Sequence, residues 1–294
     1  MWRSILTGAI LLSLAVRAFA SDLTFLVVGD WGTGSPDQRK VAVQMGKAAE
    51  AVGARFVIST GDNFYPSGVK SVEDPQWKTS FEDIYTAPAL SIPWYAVLGN
   101  HDHRGNVKAQ VDYSKRSSRW RMPAAYYKHT ESLADGSLAE FFFLDSDTIN
   151  RDYRGWRGLF SRRQQVRWLE RALAASAARW KIVVAHHPVF SGGSHKDTRA
   201  LIVLVRPLLE RYGVQLYLNG HNHNLEHVVV GKVHYLTSGA GSKPRAARTV
   251  EGSRFVVGGR LGFMTARLTP NAMEIQFIDG EGTSLYRAGI PATQ

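Results

Sequence analysis

The sequence predicts an α/β fold around a largely buried sheet, and three observations predict it. Five short apolar runs, FLVV, RFVIS, WYAVL, WKIVV and VQLYL, end abruptly in a small residue or turn, as buried strands do. Helix-patterned segments lie between them: QRKVAVQMGKAAEAVG, DPQWKTSFEDIY, SRRQQVRWLERALAASAA and DTRALIVLVRPLLERYG. Each run then hands over to carboxylate, amide, phenol or imidazole side chains. Alternating strand, polar loop and helix is the pattern of a layered α/β domain.

Taken in order, FLVVGDWG delivers Asp30, and RFVISTGDNFY delivers Asp62, Asn63 and Tyr65. WYAVLGNHDH brings Asn100, His101, Asp102 and His103; WKIVVAHHPVF brings His186 and His187. VQLYLNGHNH brings His221 and His223, with His227 shortly after. Because His221 and His223 are two apart, their rings point the same way in an extended segment. Ligands of α/β sheets bind beyond the carboxyl ends of the strands, so the five loops should meet in one place. A boundary between Asp30 and His223 would split that place, so one domain is expected over residues 21–294. GFMTARLTP and AMEIQFIDG read as C-terminal strands pairing at the sheet's edge. Each loop alone has an ordinary reading: an Asx turn, a histidine satisfying backbone groups, a core tyrosine. Five in succession at the same strand end make a site.

Asp30, Asp62, Tyr65, Asn100, His186, His221 and His223 are too many donors for one four-coordinate zinc. They suit two metal ions about 3.5–4 Å apart, the usual device for phosphoester hydrolysis. The chain has no cysteine, which excludes disulfides and thiolate sites. Oxygen and imidazole ligands favour iron, zinc, manganese or magnesium over cuprous copper or iron–sulfur clusters.

Residues 1–20 follow another plan, with Arg3 in front, an apolar stretch from Ile5 to Val16, and Ala18-Phe19-Ala20 behind. That is the layout of a secretory signal cleaved after Ala20. The alternative, a membrane anchor, is opposed by Arg17, which ends the run short of the ~20 residues needed to span. No later run is long enough to cross a bilayer. Hydrophobic residues make up 44% of the 294, which describes a folded chain and excludes a disordered one. The net charge is +11; without Arg3 and Arg17, 34 basic residues face 25 acidic ones, leaving +9. That excess serves either solubility or attraction of anions. Arg151, Arg154, Arg157, Arg162 and Arg163 read as a solvated loop.

The blocks GDWG, GDNFY, GNHDH, HHPVF and GHNHN resemble those of the calcineurin-like metallophosphoesterases. Tyr65 within GDNFY, the chain length, and stretches such as SFEDIY and LTSGAGS narrow the resemblance to small, mammalian-type purple acid phosphatases (tartrate-resistant acid phosphatases). The resemblance implies a four-layer α/β/β/α sandwich with a dinuclear centre at the carboxyl ends of the strands. Asp30, Tyr65 and His223 would hold Fe(III), and Asp62 would bridge. Asn100, His186 and His221 would hold Fe(II), Zn(II) or Mn(II). His101 would sit beside the phosphate with Asn100, Asp102 would orient its ring, and His195 would be a second histidine at the substrate mouth. His195 also reads simply as an exposed loop residue.

The implied activity is that of an exported, violet acid phosphatase, periplasmic or extracellular, in which a metal-bound hydroxide attacks a phosphate monoester in line. Its partners would be small phosphorylated substrates, with no stable nucleic-acid partner, no membrane span and a monomeric state. Several positions depart from the family. Asn222 stands where Asp is usual, which should alter how His221 or His223 is polarised. His187 and Phe190 replace Tyr and Trp, and His187, facing away from His186, is expected not to ligate. The stretch Ser146–Gln165 is short for a loop that restrains activity until cut. Two rivals stay open: a phosphodiesterase or nucleotide pyrophosphatase on the same scaffold, and a protein that binds without catalysis.

Overall fold

The computed structural model describes residues 22–150 and 156–292, and of 156–160 the backbone only. The expected signal at 1–20, with its cleavage point, lies outside the described residues, as do Arg151, Arg154 and the side chain of Arg157. Along the chain come β1 (Leu23–Val28), α1 (Pro36–Val52), β2 (Phe56–Ser59), β3 (Trp94–Ala96), α2 (Val107–Tyr113) and β4 (Trp120–Arg121). Next are β5 (Tyr127–Ser132), β6 (Leu138–Phe143), α3 (Ser146–Asn150), α4 (Trp156–Ala174) and β7 (Trp180–Val184). Then follow α5 (Arg199–Leu204), α6 (Arg206–Arg211), β8 (Leu216–Asn219), β9 (Leu225–Val230) and β10 (Val233–Ser238). The chain closes with β11 (Ser253–Val257), β12 (Gly262–Leu268), β13 (Ala272–Asp279) and β14 (Ser284–Pro291).

Two seven-stranded mixed sheets result, in the orders β14-β13-β12-β1-β2-β3-β4 and β11-β9-β10-β8-β7-β6-β5. In the first, β1 to β4 run parallel; in the second, β6, β7, β8 and β10 do. The sheets meet through aromatic side chains. Phe141 of β6 packs edge-on to Phe25 of β1 at 5.5 Å and to Phe56 of β2 at 5.6 Å. Outside the first sheet, α1 buries Val41, Met45 and Ala49. That helix starts where the Ser35 side chain accepts from Gln38 N and stops at Gly53, whose φ of 61° closes the end. Outside the second sheet, Leu169, Leu173, Leu201 and Leu209 of α4 to α6 cover Phe142, Val183 and Tyr217. The layers therefore run α/β/β/α.

Several expectations change. The residue pattern alone read as one sheet, but the ligand-bearing strands divide between two, in agreement with the α/β/β/α sandwich that the resemblance implied, and side chains of both sheets, Phe141 among them, share the core between. The helix expected over 74–85 is a six-residue π turn, Trp77–Glu82; its wide pitch sets Trp77 and Phe81 both on Trp120, at 5.2 and 5.4 Å. The helix expected over 197–213 breaks at Val205, because Pro207 has no N–H and its ring blocks the preceding turn. The arginine-rich segment is not all loop, since α4 already begins at Trp156. The C-terminal strands do add to the first sheet, but β12 lies inside it against β1, and β14 forms the edge.

Phe141 is fully buried between the sheets. Replacing it with alanine should cost about 3–5 kcal/mol, read as a lower midpoint in urea with an unchanged slope.

Candidate metal centre

Each strand ends in a turn that folds its polar side chain back over the sandwich. Asp30, Asp62 and His221 have φ of 58°, 50° and 66°, a left-handed region that costs non-glycine residues energy and is tolerated where function requires it. The turns are stitched together by backbone bonds: Asp30 N donates to Gly61 O, Gly220 N to His186 O, and Gly241 N to Gly29 O, at 3.0–3.1 Å. They also touch without room to spare. A Cβ on Gly220 would lie 2.4 Å from Asp30 Oδ2, and one on Gly99 would lie 2.2 Å from Asp62 Oδ1.

The seven expected donors fall into two groups that share Asp62. Tyr65 Oη lies 3.2 Å from Asp30 Oδ1, 2.9 Å from Asp62 Oδ2 and 3.4 Å from His223 Nε2. On the other side, His186 Nε2 lies 3.5 Å from Asp62 Oδ1, 3.1 Å from Asn100 Oδ1 and 3.2 Å from His221 Nδ1. Backbone carbonyls fix the ring tautomers. His186 Nδ1 donates to Thr60 O at 2.9 Å, and His223 Nδ1 to Lys243 O at 2.6 Å. Both Nε2 atoms therefore present lone pairs to carboxylate and amide oxygens that are also acceptors. No proton lies between such atoms; a cation fits there. Asp30, Asp62 and His186 bring ligand atoms within 4.8 Å of one another.

Electrostatics give the same result. Burial, with the neighbouring charge of Asp62, pushes the Asp30 carboxyl well above its usual range. Burial followed by the charges of Asp30 and Asp62 raises Tyr65 well above the ordinary phenol value. Burial pushes His221 well below the usual imidazole range and lowers His223 to about 4. These are groups crowded with like partners, and a bound cation would reverse the shifts of Asp30 and Tyr65.

Around them the structure corrects several roles. Asp102 makes no hydrogen bond to the His101 ring. Its buried carboxylate accepts from Gly99 N, Asn63 N, Asn63 Nδ2 and Gln110 Nε2, bracing the two loops instead. The His101 ring is oriented by Pro66, whose carbonyl accepts from Nδ1 at 2.7 Å, so Nε2 is turned to Asp62, 4.0 Å away. Asn222 polarises neither neighbouring histidine. Its Oδ1 accepts from His195 N at 2.8 Å, and its side chain fills the space a Cβ on Gly193 would need. His187 does not face away, because it lies past the end of β7: its ring packs 4.3 Å from that of His221, and Nδ1 lies 3.0 Å from Ser146 Oγ. Phe190 packs edge-on against Tyr235 at 5.1 Å.

The His195 ring reaches 4.5 Å from that of His221 and accepts from Arg245 Nη1 at 3.0 Å. Burial and Arg245 both lower its pKa. Sequence reasoning missed Ser146, whose Oγ accepts from His186 N and His187 N, and Asp145, 2.9 Å from His103 Nε2. It also missed Lys243 and Arg245, although KPR follows directly on LTSGAGS, a stretch already tied to the resemblance.

A family model for calcineurin-like phosphoesterase matches residues 23–225, more than half of the chain, and the protein belongs to that family. Purple acid phosphatase 17 of Arabidopsis thaliana is 42% identical over 288 residues, covering 90% of this chain and 83% of that one. Human tartrate-resistant acid phosphatase type 5 is 34% identical over 319 residues, covering 99% and 98%. Within the family, the chain is thus one of the purple acid phosphatases. Among solved structures, the inner-membrane-complex anchor GAP50 of Plasmodium superposes with a TM-score of 0.85 at 25% identity, covering 93% of this chain and 90% of that one. The purple acid phosphatase from yellow lupin seeds shares the fold, with a TM-score of 0.70 at 15% identity over 92% of this chain and 54% of that one.

The third histidine of the motif lies elsewhere. His227 Nδ1 contacts Tyr286 Oη at 3.1 Å, and Nε2 contacts His234 Nδ1 at 2.9 Å, joining β9 to β14 of the other sheet. Burial, then His234, lowers its pKa to about 4. The unfolded chain takes up this proton near pH 6.5, and the folded protein only near 4. Stability present above pH 6.5 is therefore lost as pH falls toward 4, by at most about 3 kcal/mol. The variant His227→Gln should show a shallower loss of denaturant midpoint across that window.

Proposed function

We propose that this protein is an exported acid phosphatase that hydrolyses phosphate monoesters at a dinuclear centre. The carrying observation is the pair of donor groups that meet at Asp62 with acceptors facing acceptors. Fe(III) at Asp30, Tyr65 and His223, with Fe(II), Zn(II) or Mn(II) at Asn100, His186 and His221, would supply a nucleophile from water at mild pH and draw charge off the phosphoryl oxygens. The phenol of Tyr65, packed between two carboxylates, is the residue that favours a ferric ion over zinc alone.

The chain's own groups handle the rest. His101 holds its Nδ1 hydrogen on Pro66 and presents Nε2 to the site, the position from which a general acid would serve the departing alkoxide. His195 accepts from Arg245 at Nε2, so its hydrogen resides on Nδ1, a second donor for the phosphate or leaving group. Asn100 shares the substrate side with them. Asn222 is a positioning residue that latches the His195 loop to the turn between His221 and His223.

The secretory plan of residues 1–20 supports export to the periplasm or medium, and no helix among the described residues is long and apolar enough to cross a membrane. The shared aromatic core supports one domain over 21–294. We assign small phosphorylated molecules as substrates, a monomeric state and no nucleic-acid partner.

Two measurements test this reading. Iron-loaded protein should be violet, lose the visible band in Tyr65→Phe, and hydrolyse p-nitrophenyl phosphate far faster than its bis-ester. Colourless iron-loaded protein with the opposite preference would indicate the diesterase. The second test varies the leaving group. In Asn222→Ala, kcat on phenyl phosphate, a poor leaving group, should drop about tenfold while kcat on p-nitrophenyl phosphate changes much less; Asn222→Asp, which keeps the acceptor, should restore it.

A further inference from the structure

The loop that carries His195 is exposed from Ser194 to Asp197, and Lys196 within it has a φ of 60°. An exposed loop places a side chain precisely only if its base is held. Here the base is buried. Ser191, Gly192 and Gly193 lie beneath the surface, and Asp197 Oδ1 accepts from Ser191 N at 2.9 Å, which closes the loop.

Below that base stands Glu226 of β9, fully buried. Ser191 Oγ donates to its Oε2 at 2.6 Å, and Gly192 N donates to its Oε1 at 2.7 Å. Asn224 Nδ2 lies farther from Oε2, at 3.4 Å. Gly193 N donates in turn to Ser191 Oγ at 3.1 Å, carrying the chain of bonds one residue closer to His195. On the far side, Arg248 N donates to Gly192 O at 3.1 Å, and Gly193 pairs antiparallel with Ala247. No space is left over. A Cβ on Gly192 would lie 1.7 Å from Arg248 O, and one on Gly193 would lie 2.4 Å from Asn222 Cγ. This fit accounts for the two glycines of SGGSH.

A buried carboxylate without a cation is costly, and among the described residues Glu226 has no ion pair. Burial pushes its carboxyl above the usual range, against the pull of Ser191 and Gly192. Packing alone would be served by a leucine without that cost. Two donors facing two acceptor oxygens give the residue type its reason, since bonds to an ionised acceptor are the strong ones. None of these bonds reaches the seven donors of the centre.

We propose that Glu226 is a positioning residue: its carboxylate anchors the base of the 191–197 loop and so sets the His195 ring at the substrate mouth, with Asn222 as the second hold. The kinetic consequence rests on the phosphatase reading; the anchoring does not. Losing the anchor should therefore impair protonation of the leaving group and spare the metal donors.

The test uses the full mature chain, iron-loaded, as wild type, Glu226→Leu and Glu226→Gln. In Glu226→Leu, kcat on phenyl phosphate should drop about tenfold further than kcat on p-nitrophenyl phosphate, with iron content and visible band unchanged. Glu226→Gln keeps one acceptor and should be intermediate. Ser191→Ala removes one donor with less damage to the interior and should show the same bias at about threefold. Adding Glu226→Leu to His195→Ala should cost little more than His195→Ala alone. Equal losses on the two esters, or a full additional loss in the double variant, would overturn the proposal. Hydrogen exchange supplies a readout without turnover: amides of residues 191–195 should exchange about tenfold faster in Glu226→Leu, and unchanged exchange also overturns the anchor. Wild type that hydrolyses neither ester would refute the phosphatase reading, while the exchange result still decides the anchor.

Discussion

Everything in this molecule is arranged around an electrostatic conflict: buried carboxylates and imidazole lone pairs point at one another, with the phenol O–H of Tyr65 donating into their midst. Burial alone opposes charge there, and each neighbour of like sign adds to the opposition, as the raised Asp30 and Tyr65 show. Such an arrangement holds only if the backbone forces it. Left-handed turns at Asp30, Asp62 and His221, glycines without space for a Cβ, and backbone bonds from loop to loop supply that force. The aromatic contact of Phe141 with Phe25 and Phe56 keeps the two sheets in register beneath them.

The neighbours in the fold separate architecture from chemistry. A Plasmodium anchor protein and a plant phosphatase share the sandwich with this chain. The layers alone therefore do not select a reaction; the side chains at the strand ends do. Here Tyr65 touches Asp30, Asp62 and His223 at once, and the carbonyl of Lys243 fixes the tautomer of His223.

What could be read from the sequence was local. Apolar runs and abrupt turns locate β1, β2, β3, β7 and β8, and the residues just past them are those the fold gathers. What could not be read depends on partners far along the chain. No local signal says that Asp102 braces Asn63 and Gln110 instead of the adjacent ring, or that Pro66 orients His101. Strict alternation suggested that His187 faces away from His186, but the strand ends at Val184, before that rule can apply to either residue. The role of Asn222 was obscured for a similar reason, since its partner His195 lies in a loop 27 residues earlier. Pro207 was visible in the sequence and should have marked the helix break.

The division of the donors between the sheets has a mechanical side. Three of the five delivering strands belong to one half of the sandwich and two to the other, with their loops meeting at a single rim. Cations lodged there would act as rivets across a seam that is otherwise closed mainly by oily contacts deeper down. Stripping them should let the two halves splay at that rim first, while the far end stays shut.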